Sequence, residues 1–156
     1  AFTGDQSILD SLHSDERRAR ASSVSMIPSS TGAAKAVGLV LPQLQGRLDG
    51  TAVRVPTPNV SMIDLVFNSK KKIDTDTINK AMINASKGEL KGVLGVEDKP
   101  LVSIDYNHNP LSSIFDLTQT QVINGRLGRI LSWYDNEWGF ANRMGDTASF
   151  IGKLIN

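Results

Sequence analysis

Pro28-Ser29-Ser30-Thr31-Gly32-Ala33-Ala34-Lys35-Ala36-Val37 is the stretch around which this chain is organised. Proline is excluded from a helix interior, serine and threonine are strong N-cap types, and the alanine-rich run that follows consists of good helix formers. The order predicts a helix beginning at Thr31. The first turn of such a helix carries unpaired N–H groups and the positive end of the dipole, Thr31 adds a hydroxyl donor, and Gly32 permits close approach to the backbone. That combination suits an anion, phosphate above all. An ordinary capped helix start with nothing bound is the plainer alternative.

Working outward, Ala33, Ala36, Val37 and Val40 recur at helical spacing, and Pro42 ends the helix near Val40 or Leu41. After turns at Gly46 and Asp49-Gly50, Thr51 to Pro56 reads as a strand, with Arg54 on the opposite face from its two flanking valines. A lone strand arginine is ordinarily a surface charge. Upstream, residues 3–30 lack strict periodicity and read as one long structured loop, of the kind that is usually functional in a compact domain. Arg17, Arg18 and Arg20 crowd its middle; a solvated basic patch is the plain reading of such a run.

Downstream, Ser61 to Phe67 is a second strand, and Asp74-Thr75-Asp76 caps a helix with Ile78, Met82 and Ala85 on one face and Gly88 at its end. Leu101 to Tyr106, Ser113 to Val122 and Leu127 to Tyr134 read as further strands, the last two joined by a hairpin turn at Asn124-Gly125. Short turns between successive strands imply antiparallel pairing. A final helix over residues 136–155, capped at Asp135-Asn136, places Phe140, Met144, Ala148, Ile151 and Ile155 on one face. Helices and runs of strands without regular βα alternation indicate an α+β domain: a mostly antiparallel mixed sheet with helices packed on one face. No G-x-G-x-x-G follows a strand, so no dinucleotide fold is encoded here.

With 156 residues, 40% of them hydrophobic, the chain is one domain's worth of material. A net charge of +1 argues against broad nucleic-acid or membrane-surface binding but leaves room for a local anion site built from a few donors. The absence of cysteine removes disulfides, thiolate metal ligands and thiol nucleophiles from the chain, and no metal site is expected. No signal-like or bilayer-length apolar segment is present, so a soluble intracellular, cytoplasmic protein is expected. The opening Ala1-Phe2-Thr3-Gly4-Asp5 reads like a sequence cut in mid-element.

Several segments resemble, in order, the catalytic domain of the glyceraldehyde-3-phosphate dehydrogenase family: Ala1 to Gln6, Ile27 to Ala36, Leu48 to Pro56, Asp105 to Pro110, and Ser132-Trp133-Tyr134-Asp135-Asn136-Glu137-Trp138-Gly139. The resemblance implies that residues 1–156 form a single catalytic domain, truncated at its N-terminal side. It also implies roles for individual positions. Thr31 and Gly32 correspond to the site of the phosphate that attacks the acyl-enzyme; Thr3 and Arg54 correspond to the site of the substrate's own phosphate, with Arg18 close by. Arginine's planar fork suits paired phosphate oxygens. Asn136 matches the asparagine that hydrogen-bonds the nicotinamide carboxamide of NAD, a plain helix cap being its other reading, and Tyr134 matches an aromatic residue lining the active site. Residues 2–26 resemble an interface loop.

The family's nucleophilic cysteine and general-base histidine match no residue of this chain; the histidine's position directly precedes Ala1. His13 and His108 are assigned to surface roles. Most of the NAD site belongs to an absent nucleotide-binding domain. The expected partners are glyceraldehyde 3-phosphate, inorganic phosphate, and either the other subunits of a homotetramer or a complementing N-terminal fragment. The alternatives are a non-catalytic phosphate-binding module, an assembly fragment, or a piece of the similar erythrose-4-phosphate dehydrogenase.

Overall fold

The computed structural model describes residues 1–155, the side chains of Ala34 and Lys35 excepted; these two side chains of the quoted stretch, and Asn156 of the expected 1–156 span, lie outside the described residues. The chain divides after Pro58 into two compact units.

The first unit is dominated by a loop. Residues 1–26 form no helix or strand and are held instead by their own hydrogen bonds: Ser22 N and Oγ both donate to Ser7 O (3.1 and 2.7 Å), Ser11 N to Ala19 O (2.9 Å), and Ala21 N to the Asp10 carboxylate (2.7 Å). The expected loop stops short of Ser30, because Ile27–Ser30 is a strand, β1. It pairs antiparallel with β2 (Thr51–Arg54) in a two-stranded ribbon, Ile27 facing Arg54 and Ser30 facing Thr51. Pro28 hides this strand from sequence reading, since proline is tolerated only on edges and β1 is an edge. Helix α1 is Ala33–Val40, close to the span expected. Its N-cap is Gly32, not Thr31 or Ser30; the Thr31 hydroxyl accepts from Ala33 N at 3.2 Å one step outside the cap. The expected apolar face is only partly realised: Val37 is half-buried and Gly38 buried, whereas Ala33, Ala36 and Val40 are exposed.

The second unit carries a five-stranded sheet in the order β3-β7-β5-β4, with β6 also pairing β7. Strands β3 (Ser61–Asn68) and β7 (Leu127–Tyr134) match expectation and pair antiparallel over their full length. Strand β4 (Leu94–Glu97) is not foreseen, and its parallel pairing with β5 (Ser113–Asp116) is what makes the mostly antiparallel sheet mixed, as expected. The strand expected at Leu101 to Tyr106 is a short 3-10 turn over Ser103–Tyr106, fixed by Val102 N donating to Asp105 Oδ2 at 2.9 Å. The strand expected over Ser113 to Val122 is broken after Asp116, whose carboxylate accepts from Thr118 N and Oγ1 (3.0 and 2.6 Å) and from Trp133 Nε1 (3.1 Å) before β6 (Gln121–Ile123) begins. This is the side-chain turn chemistry by which aspartate competes with a ladder. The hairpin at Asn124-Gly125 is present, both residues lying in the left-handed region (φ 52° and 65°) that its tight turn demands. The result is α+β with a mixed, mostly antiparallel sheet.

Helix α2 (Thr75–Lys87) begins as expected, Asp74 accepting from Thr77 N at 2.7 Å. Val60, Tyr106 and Ile114 are buried together, with the Tyr106 and Trp133 rings stacked 5.6 Å apart. Helix α3 (Trp138–Ile155) packs its first turn against the segment before β5: a Cβ on buried Gly139 would stand 2.7 Å from Leu111 O. Backbone cannot retreat as a side chain can, so Gly139→Ala should cost about 2–3 kcal/mol of stability in urea titrations followed by tryptophan fluorescence. Unaltered stability would mean that the helix start is free to shift. The rest of the expected α3 stripe is not core: Phe140, Met144, Ile151 and Ile155 are all exposed.

Candidate anion-binding and carboxamide sites

In the first unit the turn over residues 3–6 is closed by Gln6, whose Oε1 accepts from both Thr3 N (2.9 Å) and Thr3 Oγ1 (3.0 Å). Its neighbour Asp5 receives Arg18 Nη1 at 2.5 Å and His13 Nε2 at 3.3 Å. These hydrogen bonds, His13 first and Arg18 next, hold the Asp5 carboxyl below its ordinary range. His13 is thus half-buried and tied into the loop, accepting from Asp15 N at 2.8 Å through Nδ1, and is not an idle surface residue.

Arg18 spans two parts of the unit. Its Nη2 donates to Ser30 O at 3.3 Å, one residue before Thr31, while Nη1 reaches Asp5 and Nε lies 3.5 Å from Asp15. The guanidinium therefore links the Thr3 turn to the corner where Thr31 and Gly32 open α1. Two carboxylates and a carbonyl already engage it, so its first role is to staple the loop. Gly32 faces open space: nothing comes within 4 Å of a Cβ built on it.

Arg54 stands differently. Opposite residues of an antiparallel pair share a face, so it lies on the same face of the ribbon as Ile27 and Ser29, both buried. Among the described residues no carboxylate pairs with Arg54, and its Nε is buried without a hydrogen-bond partner. Ser29 Oγ on the same face and Gln6 Nε2 are likewise buried and unpartnered. The Arg54 charge also lies close enough to Ala1 to lower the pKa of its ammonium, an effect second to burial there. A cation beside buried, unanswered donors costs free energy unless an anion compensates it. The register puts Arg54 at the Ile27 end of the ribbon and Thr31 beyond its Ser30 end, roughly four residues and about 13 Å along the strand. The register therefore sets Arg54 apart from Thr31 and Gly32, and Arg18 reaches Ser30 O beside the latter pair.

Sequence reading misses Ser29 and Gln6. Ser29 alternates with exposed Pro28 and Ser30, a period-two signal that becomes visible only once residues 27–30 are known to be a strand. Gln6 carries no signal beyond its spacing of three from Thr3 in a turn.

In the second unit Asn136 is half-buried, and its Oδ1 accepts from Ser61 Oγ at 2.6 Å. Asn59 lies beneath it, its Oδ1 accepting from Val60 N (2.7 Å) and Asn136 N (3.4 Å). Val60 is buried in the left-handed region at φ 68°, a strained conformation for a β-branched residue that only its surroundings can impose. Next to Asn136, the Asp135 carboxylate accepts four donors: Glu137 N and Trp138 N on Oδ1, His108 N and Asn59 Nδ2 on Oδ2. Helix capping at this point thus falls to Asp135, and the Asn136 side chain is held instead by Ser61. Half-buried Tyr134 faces Ser61 across the ladder. His108 is exposed, stacked on Trp138 with centroids 4.8 Å apart.

Residues 1–136 match the family model described as glyceraldehyde 3-phosphate dehydrogenase, C-terminal domain. Among curated relatives, the chain is 64% identical over 154 residues to glyceraldehyde-3-phosphate dehydrogenase of Xanthobacter flavus and 59% over 155 residues to that of Cereibacter sphaeroides, covering 99% of this chain and 46% of the relative in each case. It is 52% identical over 156 residues to that of Zymomonas mobilis, again over 99% of this chain and 46% of the relative. The chain therefore spans about half the length of the curated relatives it matches.

Proposed function

The chain belongs to the glyceraldehyde-3-phosphate dehydrogenase C-terminal-domain family, an oxidoreductase family, and from that premise we propose that it is the phosphate-holding portion of an NAD-dependent enzyme. The whole protein converts glyceraldehyde 3-phosphate and inorganic phosphate to 1,3-bisphosphoglycerate. The observation that carries this reading is Arg54, a cation whose Nε is buried without a partner. Thr3 and Arg54 hold the phosphate of the substrate. Arg18 lies close by and adds to the anion environment, while Thr31 and Gly32 hold the inorganic phosphate. Its oxygen forms a bond to the acyl carbon as the bond from that carbon to a cysteine sulfur breaks. The chain contains no cysteine, so the sulfur comes from elsewhere in the whole protein.

The Asn136 carboxamide, oriented by Ser61, fits the nicotinamide carboxamide in kind, both groups offering a carbonyl acceptor and an amide NH2 donor. NAD supplies the hydride acceptor for the aldehyde carbon. Asn136 contributes orientation of the ring, and the Asn59–Asp135 network beneath keeps its backbone in place. Exposed Ile8, Leu9, Leu12, Val24 and Met26 support residues 2–26 as an oligomer interface in a homotetramer. No described helix is long and apolar enough to cross a membrane, and the cytoplasm suits a substrate of this kind.

The isolated chain should give no aldehyde-dependent reduction of NAD in the presence of phosphate. Co-expression with the N-terminal half of a close relative should restore it, read as NADH absorbance. Turnover by the isolated chain would overturn the division of labour, and failure of every complementing half would remove the enzymatic reading.

A further inference from the structure

Gln6 takes up both donors of Thr3 through Oε1, at 2.9 and 3.0 Å, and buries its own Nε2 without a partner. A buried amide N–H with no acceptor is costly, and amide orientation is not free here because Oε1 is pinned by the Thr3 N–H. Resting on the proposed role of Thr3 and Arg54 in holding a phosphate, we propose that Gln6 is a positioning residue of that subsite: it clamps Thr3 through Oε1 and presents Nε2 as an additional donor to an oxyanion. An oxyanion offers the acceptors that donors on separate segments of this unit lack: Arg54 Nε on β2, Ser29 Oγ on the same ribbon face, and Gln6 Nε2 in the Thr3 turn, which is tied to Thr57 through Phe2 N at 2.9 Å. The clamp also sets the Thr3 hydroxyl. Its proton points to Gln6 and turns to the anion only when that bond is exchanged, while the Thr3 N–H bond keeps the turn closed.

The test is titration of the full chain with inorganic sulfate, a dianion across the range used, followed by amide chemical shifts between pH 4.5 and 8 for the wild type, Gln6→Glu, Gln6→Met and Arg54→Ala. Folding of the first unit is checked on the Ser29 and Ala52 amides, which are register partners. The groups that face Gln6 or its neighbours are Asp5, His13, Asp15, Arg18, Arg54 and the Ala1 ammonium, so each variant is read as a ratio to the wild type at the same pH. At pH 8 Gln6→Glu should bind sulfate about tenfold or more weakly, because the carboxylate still accepts from Thr3 but has no proton to donate and repels the anion. Towards pH 4.5 its deficit should shrink as the carboxyl regains a donor. Gln6→Met, which donates at no pH, should stay weak throughout. Affinities of both variants within about twofold of the wild type, with binding lost in Arg54→Ala, overturn the role of Gln6 and leave the anion site standing. A Gln6→Glu deficit equal at every pH overturns the donor role. Wild-type binding that Arg54→Ala leaves unchanged overturns the underlying anion site instead.

Discussion

Arg54→Ala should weaken binding of inorganic phosphate or sulfate to this chain by roughly 10–100-fold, the range expected for loss of charge-assisted hydrogen bonds to an oxyanion. The same substitution should leave stability unchanged or slightly raised, and this contrast makes the prediction discriminating. An arginine serving structure has partners to lose, as Arg18 does in Asp5, Asp15 and Ser30 O. Arg54 has a buried Nε with no partner, so its removal relieves a cost and breaks no described hydrogen bond. Arg54→Lys should recover only part of the affinity, since an ammonium lacks the planar fork. Isothermal titration with sulfate, paired with urea unfolding of the same samples, reads both halves. Retained affinity, or lost affinity with an equal loss of stability, would make Arg54 a packing residue.

Arg18 and Arg54 also show where sequence reading stops. Both are arginines near phosphate-suited motifs, and the resemblance to the family assigns both to anion binding. What separates them is whether carboxylates from other segments reach them. Asp5 lies thirteen residues from Arg18, and that pairing depends on how the loop folds back. The elements that came through intact, β3, β7, α2 and the Asn124-Gly125 hairpin, are those whose signals are local: apolar runs, a capping aspartate, and two residues that tolerate positive φ. Those misread are where a side chain overrides the backbone pattern. Asp105 and Asp116 each bend a β-prone run by accepting nearby N–H groups, and Pro28 masks an edge strand. The α3 stripe illustrates a different limit. Its periodicity is correctly helical, but a stripe says only that something covers it, and no described residue of the second unit does.

The second large effect concerns Asp135. Asp135→Asn should destabilise the second unit by about 3–5 kcal/mol near neutral pH, as expected when a buried carboxylate that answers several donors is lost. The substitution conserves shape and fails on hydrogen-bond sense. Oδ1 faces two backbone donors, Glu137 N and Trp138 N, and Oδ2 faces His108 N and Asn59 Nδ2, so either orientation of an asparagine turns its NH2 against two N–H groups. The damage should spread along the network, because Asn59 also holds Val60 in its left-handed conformation and receives Asn136 N. Burial raises the carboxyl pKa of Asp135, but the donors from Trp138, His108, Glu137 and Asn59 together outweigh it and the net shift is downward. A depressed folded-state pKa fixes the sign. The contribution is fully present above the unfolded carboxyl value of about 3.9 and is lost as pH falls through the lower folded value. The stability gap between wild type and Asp135→Asn should therefore be widest at pH 6–7 and narrow below about pH 4. Both tryptophans, Trp133 and Trp138, lie in the second unit, so urea unfolding followed by their fluorescence reports this unit alone. A gap that stays constant with pH would show that Asp135 acts through shape and not through its charge.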